Sequence, residues 1–181
     1  RDGQLVSDYN DDTSVPASAT ARSETWRCVV TPSDGTASGP SAEDQVTVGN
    51  TAPTAPTVAV TPASPQTADQ LTVSASGSND ADDDGITYSY RWYRDGQLVS
   101  DYNDDTSVPA SATARGETWR CVVTPPDGTD SGPSAEDQVT VGNTAPTAPT
   151  VAVTPASPQT ADTLTVSASG SNDADDDGIT Y

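Results

Sequence analysis

The chain has 181 residues, with 27 Asp and Glu against seven basic residues, all of them Arg, and no Lys, His, Met or Phe; its net charge is −20. That balance repels nucleic acid and anionic membrane surfaces and attracts cations, so nucleic-acid binding is excluded as a function class. Without His, and with two Cys that lack a neighbouring base, there is no nucleophile–base pair; no insertion builds a cleft around paired carboxylates either, so the composition predicts a non-enzyme.

Residues 1–22, RDGQLVSDYNDDTSVPASATAR, recur letter for letter at 94–115. Laying 1–88 over 94–181 leaves four differences, Ser23/Gly116, Ser33/Pro126, Ala37/Asp130 and Gln70/Thr163, so the chain is a tandem array with a step of 93 residues. The chain is five residues short of two periods, and the absent letters, SYRWY, occur once as Ser89 to Tyr93. This phase is the one expected of a window in a longer polypeptide. It predicts the second half of a unit at 1–50, a linker at 51–56, a complete unit at 57–143, a second linker at 144–149 and the first half of a further unit at 150–181. Low hydrophobicity with high charge ordinarily favours disorder. Here Trp, Tyr and Val alternate within each period, which predicts an ordered unit with a thin core, of a length that suits one small β-sandwich.

In chain order, the connector Gly49-Asn50-Thr-Ala-Pro-Thr-Ala-Pro56, copied at Gly142 to Pro149, is stiffened by its prolines and is expected to set neighbouring units nearly end to end. Thr51, Thr54 and Thr57 stand beside Pro and Ala, a context that suits O-linked sugars, whereas no Asn-x-Ser/Thr sequon occurs. Val58 and Val60 alternate with Thr57, Ala59 and Thr61; Leu71, Val73 and Ala75 share one face, with Thr72, Ser74 and Ser76 on the other. Ile86, Tyr88, Tyr90 and Trp92 form the largest apolar face and predict a central strand. Asp95-Gly96 is a tight hairpin turn into Gln97 to Val99. Glu117 to Val123 turns Trp119, Cys121 and Val123 inward, and Gln138 to Val141 adds Val139 and Val141. No run has a sustained helical period. Cys28 and Cys121 are one residue seen twice, so no disulfide closes within a unit; each is expected to be a small buried hydrophobe, with an intermolecular bridge as the alternative.

Trp92 on a third strand and Trp119-Arg120-Cys121 on a late one resemble the Trp and aromatic-x-Cys of immunoglobulin-like sandwiches, although the second strand, Leu71 to Ala75, has no Cys. The unit as a whole, with SGSNDADDDGITYSYRWYRDG, GETWRCVVTPPDGT and NTAPTAP, resembles the tandem immunoglobulin-like or PKD-like repeats of giant bacterial and archaeal surface proteins. It lacks the Trp-x-Phe-Gly-Asp-Gly signature of PKD domains and the Leu-Asp-Arg-Glu and Asp-x-Asn-Asp-Asn motifs of cadherins. The resemblance implies an all-β fold of tandem immunoglobulin-like β-sandwich repeats, an extracellular, cell-surface location, and a structural or adhesive role. Without Lys, the intramolecular Lys isopeptide bond that stiffens some bacterial surface domains is ruled out.

The motif richest in chemistry is Asp80-Ala-Asp82-Asp-Asp84-Gly85, repeated as Asp173-Ala-Asp175-Asp-Asp177-Gly178. Carboxylates at alternate positions, closed by a turn-forming Gly, are the first half of a calcium loop, so Asp80, Asp82, Asp84, Asp173, Asp175 and Asp177 are expected Ca²⁺ ligands. Tyr88 and Arg91 stand where an EF-hand has its last ligands, which rejects that motif. The alternative is a solvated acidic turn that needs no metal. Asp8, Asp11 and Asp12, with copies Asp101, Asp104 and Asp105, form a second acidic loop, either solvated or a further cation site. Asp34-Gly35 and Asp127-Gly128 read as plain turns, and Glu136-Asp137 as a solubilising strand edge.

Near-perfect copying favours a function that lies in repetition. The expectation is a calcium-stabilised stalk or fibre building block whose partners are neighbouring repeats and further copies of itself, with no membrane contact by this segment. The alternative is an adhesion module in which exposed Tyr93, Tyr102 or Arg120 meets carbohydrate or a protein partner.

Overall fold

Period-two alternation builds short strands throughout. A computed structural model describes residues 1–181, and it contains eleven strands, four 3-10 turns and no α-helix. By contacts the chain divides into two units. The first comprises Arg1–Thr54, Ser78–Thr87 and Pro125–Pro133; the second comprises Ala55–Gly77, Tyr88–Thr124 and Ser134–Tyr181.

In the first unit, β1 (Thr25–Val30) and β2 (Ala42–Thr47) form an antiparallel pair in which Trp26 faces Val46 and Cys28 faces Asp44. The second unit holds a two-sheet sandwich. Its strands are β3 (Thr57–Thr61), β4 (Leu71–Ser76), β5 (Ser89–Arg94), β6 (Gln97–Leu98), β7 (Ser107–Val108), β8 (Thr118–Thr124) and β9 (Ala135–Thr140). One sheet has the order β3-β4-β7 and the other β6-β5-β8-β9. The same unit carries a separate antiparallel pair, β10 (Thr150–Thr154) with β11 (Thr165–Ser169).

The core lies between the two sheets of the sandwich. Val60, Leu71, Val73 and Val108 meet Trp92, Trp119, Cys121, Val123 and Val139, with Val141 just beyond β9; all are buried. Register explains the match. Trp92 stands opposite Cys121 and Trp119 opposite Val139, so the large rings on neighbouring strands share the inner face. Trp92 and Trp119 meet edge to face with centroids 6.4 Å apart, a geometry worth about 0.5–1.5 kcal/mol beyond burial. The indole N–H of Trp92 donates to the Asp105 carbonyl at 2.9 Å, and that of Trp119 to Glu117 at 3.0 Å, so neither ring buries an unsatisfied donor.

The predicted apolar faces are present, with four departures. The run Ile86 to Trp92 becomes strand only from Ser89, because the Thr87 N–H is taken by the Pro126 carbonyl. Strand β6 stops at Leu98, after a turn in which Asp95 and Gly96 have φ of 48° and 81°, as a type I′ hairpin requires. Strand β7 is too short to leave a periodic trace, yet Val108 packs opposite Leu71 as a full core member. Asp137 is no mere solubiliser: its Oδ2 accepts the Val60 N–H at 2.8 Å and joins β9 to the edge of β3.

The two cysteines part company. Cys121 is buried as expected, whereas Cys28 is exposed, because β1 and β2 have no second sheet over them. Burial pushes the Cys121 thiol up to about 12. Cys121 is therefore expected to resist alkylation in the folded chain near pH 8 and to react only in denaturant. Mass spectrometry of the labelled chain checks this.

Candidate functional site

The acidic motif sits in the loop that follows β4, and its first carboxylate shapes that loop. Asp80 Oδ1 accepts the backbone N–H groups of Asp82 at 2.8 Å and Asp84 at 3.2 Å, an Asp-led turn that carries Asp83 through a φ of 59°. The next two acidic side chains at alternate positions then point at protein donors. Asp82 Oδ2 accepts the Thr51 N–H at 2.7 Å, and Asp84 Oδ2 accepts from the Arg22 guanidinium.

Arg22 is the pivot of a network across distant segments. Its Nη1 also donates to Asn50 Oδ1 at 2.6 Å, and Asn50 Nδ2 donates to Asp127 Oδ2 at 2.9 Å and to Asp130 Oδ2 at 3.0 Å. Asp127 in turn accepts the N–H groups of Thr129 and Asp130 at 2.7 and 2.6 Å, so the loop after β8 is tied down as it ties Asn50. The linker is stitched to the acidic loop as well. Thr54 N–H donates to the Asn79 carbonyl at 2.9 Å, and the Asn79 N–H donates to Thr54 Oγ1 at 2.8 Å. Pro53 is fully buried, and a Cβ placed on Gly132 would overlap the Pro53 carbonyl oxygen, so only glycine lets the loop and linker approach.

The same arrangement is built a second time. Asp173 Oδ1 accepts from Asp175 N–H at 2.9 Å and Asp177 N–H at 3.2 Å. Asp175 Oδ2 accepts the Thr144 N–H at 2.6 Å, and Asp177 pairs with Arg115, which donates to Asn143 Oδ1 at 2.6 Å. Thr147 and Asn172 repeat the reciprocal linker pair, each bond 2.8 Å long. Here Thr67, between β3 and β4, adds a hydroxyl donor to Asp175.

All six expected calcium ligands therefore lie in two equivalent loops. In each, one carboxylate forms the turn, one holds the linker backbone and one pairs with an arginine. No three acidic side chains gather into a group able to hold a metal ion, although Asp80 Oδ2 is buried with no hydrogen-bond partner. In the second acidic loop, Asp104 Oδ1 accepts the Tyr90 N–H at 3.0 Å while its own N–H donates to the Tyr90 carbonyl at 2.8 Å; it extends the pairing of β5. Sequence reasoning missed Arg22, Asn50, Asp127 and Asp130. The separation of 62 residues between Arg22 and Asp84 leaves no local pattern. One of the four positions at which the copies differ, Asp130, does fall in this network, which is the one trace the sequence carries.

The sequence matches no family model, and no curated protein matches it.

Hydrogen bonding sets the electrostatics. The Asn50 amide, then the N–H groups of Asp130 and Thr129, hold the Asp127 carboxyl below its ordinary value of 3.8. Thr67 and then the Thr144 N–H do the same for Asp175, with Arg115 adding to them. A depressed pKa contributes stability that is full above 3.8 and is lost as pH falls through the folded value. Acidification below that point is expected to free the Asn50 amide and the Thr144 N–H before the apolar sandwich opens, as NMR of these groups across an acid titration would register. Gly132→Ala is expected to push the Pro125–Pro133 loop off the linker. Faster hydrogen exchange at Thr51 and Thr54, with the Trp119 environment unchanged, is its signature.

Proposed function

We propose that the chain is a structural segment of immunoglobulin-like sandwich repeats from a large extracellular surface or filament protein, and that the Arg–Asn–Asp clamp fixes each repeat to the next. The observation that carries this reading is the double occurrence of the clamp. Arg22, Asn50, Asp82 and Asp84 have the same partners in kind as Arg115, Asn143, Asp175 and Asp177. A spacer needs junctions that resist bending. Charge-assisted hydrogen bonds that reach a linker and a neighbouring loop at once supply that resistance, because bending must break several together. Near-identity of the copies suits a device used many times over better than a single ligand site. The extracellular setting rests on the resemblance to surface-protein repeats and on the acidic, Lys-free composition.

A second reading retains calcium and is favoured by Asp80 Oδ2, the buried carboxylate oxygen without a donor. A cation there would draw on Asp84, which then has to release Arg22. Both readings stiffen the junction, and they differ in what chelation does.

Small-angle scattering from the chain and from its Arg22→Ala/Arg115→Ala variant, each in calcium and in chelator, separates them. The clamp reading expects a broader distance distribution in the variant and no response to chelator. Broadening of the wild-type distribution on chelation would assign the junction to calcium. Superimposable curves for both proteins in both solutions would overturn the clamp.

A further inference from the structure

Six Asp-Gly pairs occur in the chain, led by Asp2, Asp34, Asp84, Asp95, Asp127 and Asp177. The dipeptide is chemically labile, because a residue without Cβ lets its backbone nitrogen reach the aspartate side-chain carboxyl and close a five-membered succinimide. In this fold each of the six carboxylates is held by a donor. Asp34 Oδ1 accepts the N–H groups of Thr36 at 2.9 Å and Ala37 at 2.8 Å, and Asp127 Oδ1 accepts those of Thr129 and Asp130. Asp2 and Asp95 accept the N–H groups of Thr25 and Thr118, each at 2.8 Å. Those four rest on the backbone of their own turn or of a strand. Asp84 and Asp177 rest on side chains alone, Arg22 and Arg115, each 62 residues away.

We propose that Asp84-Gly85 is an isomerisation site that Arg22 keeps closed, so that an ion pair left broken is converted to isoaspartate and stays broken. A carboxylate fixed on a guanidinium does not swing to meet the next nitrogen. Once it is released, the Gly85 nitrogen attacks Asp84 Cγ. The N–Cγ bond forms as the Cγ–O bond breaks, and the amide proton leaves with the carboxyl hydroxyl as water. A water molecule then opens the ring. Attack at Cγ restores aspartate; attack at the main-chain carbonyl breaks its bond to nitrogen and leaves the chain running through Cβ and Cγ. No electron is gained or lost. In the isoaspartate the main chain is one methylene longer and the carboxylate sits directly on Cα, too short to reach Arg22. There is room for the ring, since a Cβ placed on Gly85 would meet nothing within 4 Å.

The guard is a weak one. The Arg22 and Asp84 side chains are 34% and 20% exposed, and an ion pair that water reaches opens more readily than a hydrogen bond inside a sheet. With the open state a minor one, populated to about 10% or less, isomerisation at Asp84 runs about tenfold or more slower than in the denatured chain. The molecule also supplies a matched comparison. Residues 80–87 and 173–180 are both DADDDGIT, so the two sites have the same local chemistry and differ in which arginine holds them. The inference rests on the Arg22–Asp84 contact that the clamp reading uses. Its readout is a covalent isomer and not a distance distribution, so the two can fail separately.

Prolonged incubation of the full chain in mildly acidic buffer below its melting temperature tests it, with a denatured sample as reference. Isoaspartate is located by mass spectrometry with backbone fragmentation, on the tryptic fragments 28–91 and 121–181, which keep the two copies apart. In the wild type all six Asp-Gly pairs are expected to isomerise more slowly than in denaturant. Arg22→Ala is expected to bring Asp84-Gly85 to within a few-fold of the denatured rate and to leave Asp177-Gly178 and Asp95-Gly96 slow. Arg115→Ala does the reverse, speeding Asp177-Gly178 alone, which separates release of one carboxylate from loosening of the whole chain. A wild-type rate at Asp84-Gly85 equal to the denatured one overturns the inference. So does an unchanged rate in Arg22→Ala, or an acceleration that both variants share at Asp95-Gly96.

Discussion

The apolar face of β8 is what the sandwich closes around. Trp119, Cys121 and Val123 stand on one side of a single strand, flanked by Trp92 on β5 and Val139 on β9 and roofed by Val60, Leu71, Val73 and Val108 of the other sheet. Full burial of one such aliphatic side chain is worth about 1.5–3 kcal/mol. A core of ten residues leaves little redundancy, so every strand that roofs β8 matters. Strand β1 carries the letters TWRCVV as β8 does, and within residues 1–181 no second sheet covers it, so its Cys28, Val29 and Val30 are exposed there.

The large acidic excess has a structural use that net charge alone does not reveal. A helix-free fold of short strands leaves many loop N–H groups without a ladder partner, and these must be satisfied. Aspartates supply the acceptors. Asp80, Asp82, Asp104, Asp127 and Asp137 each receive backbone N–H groups, and Asp95 receives that of Thr118 at 2.8 Å. Glu117 accepts both the Ala114 N–H and the Trp119 indole. Scarce arginines are spent where a carboxylate lies on another segment: Arg22 on Asp84 and Arg115 on Asp177, with Arg94 on Glu117 at 3.4 Å inside the sandwich. Along the chain this charge pattern reads as cation-seeking; in the fold many of the same carboxylates also accept hydrogen bonds from the protein itself.

Much of the sheet was legible beforehand. Val58/Val60, Leu71/Val73 and Trp119/Cys121/Val123 announced their strands by alternation, and Asp95-Gly96 announced its hairpin by turn chemistry. The acidic loop was legible as a place, and its hydrogen-bond partners were not. Its Asp-x-Asp-x-Asp-Gly spacing is shared by a turn that binds metal and a turn that binds backbone, and the choice rests on donors far away in the chain. Strand β7 was invisible because two residues carry no period. Asp137 was misread because its partner, the Val60 N–H, is 77 residues distant.

The sequence by itself determined the repeat, the alternation of apolar and polar residues and the turn positions, because these follow from local sterics and from counting along the chain. Only the tertiary structure decided which carboxylates have partners and which backbone groups they meet. That depends on what stands opposite in space, and so Asp84 finds Arg22 across 62 residues and Asp137 finds the Val60 N–H across 77.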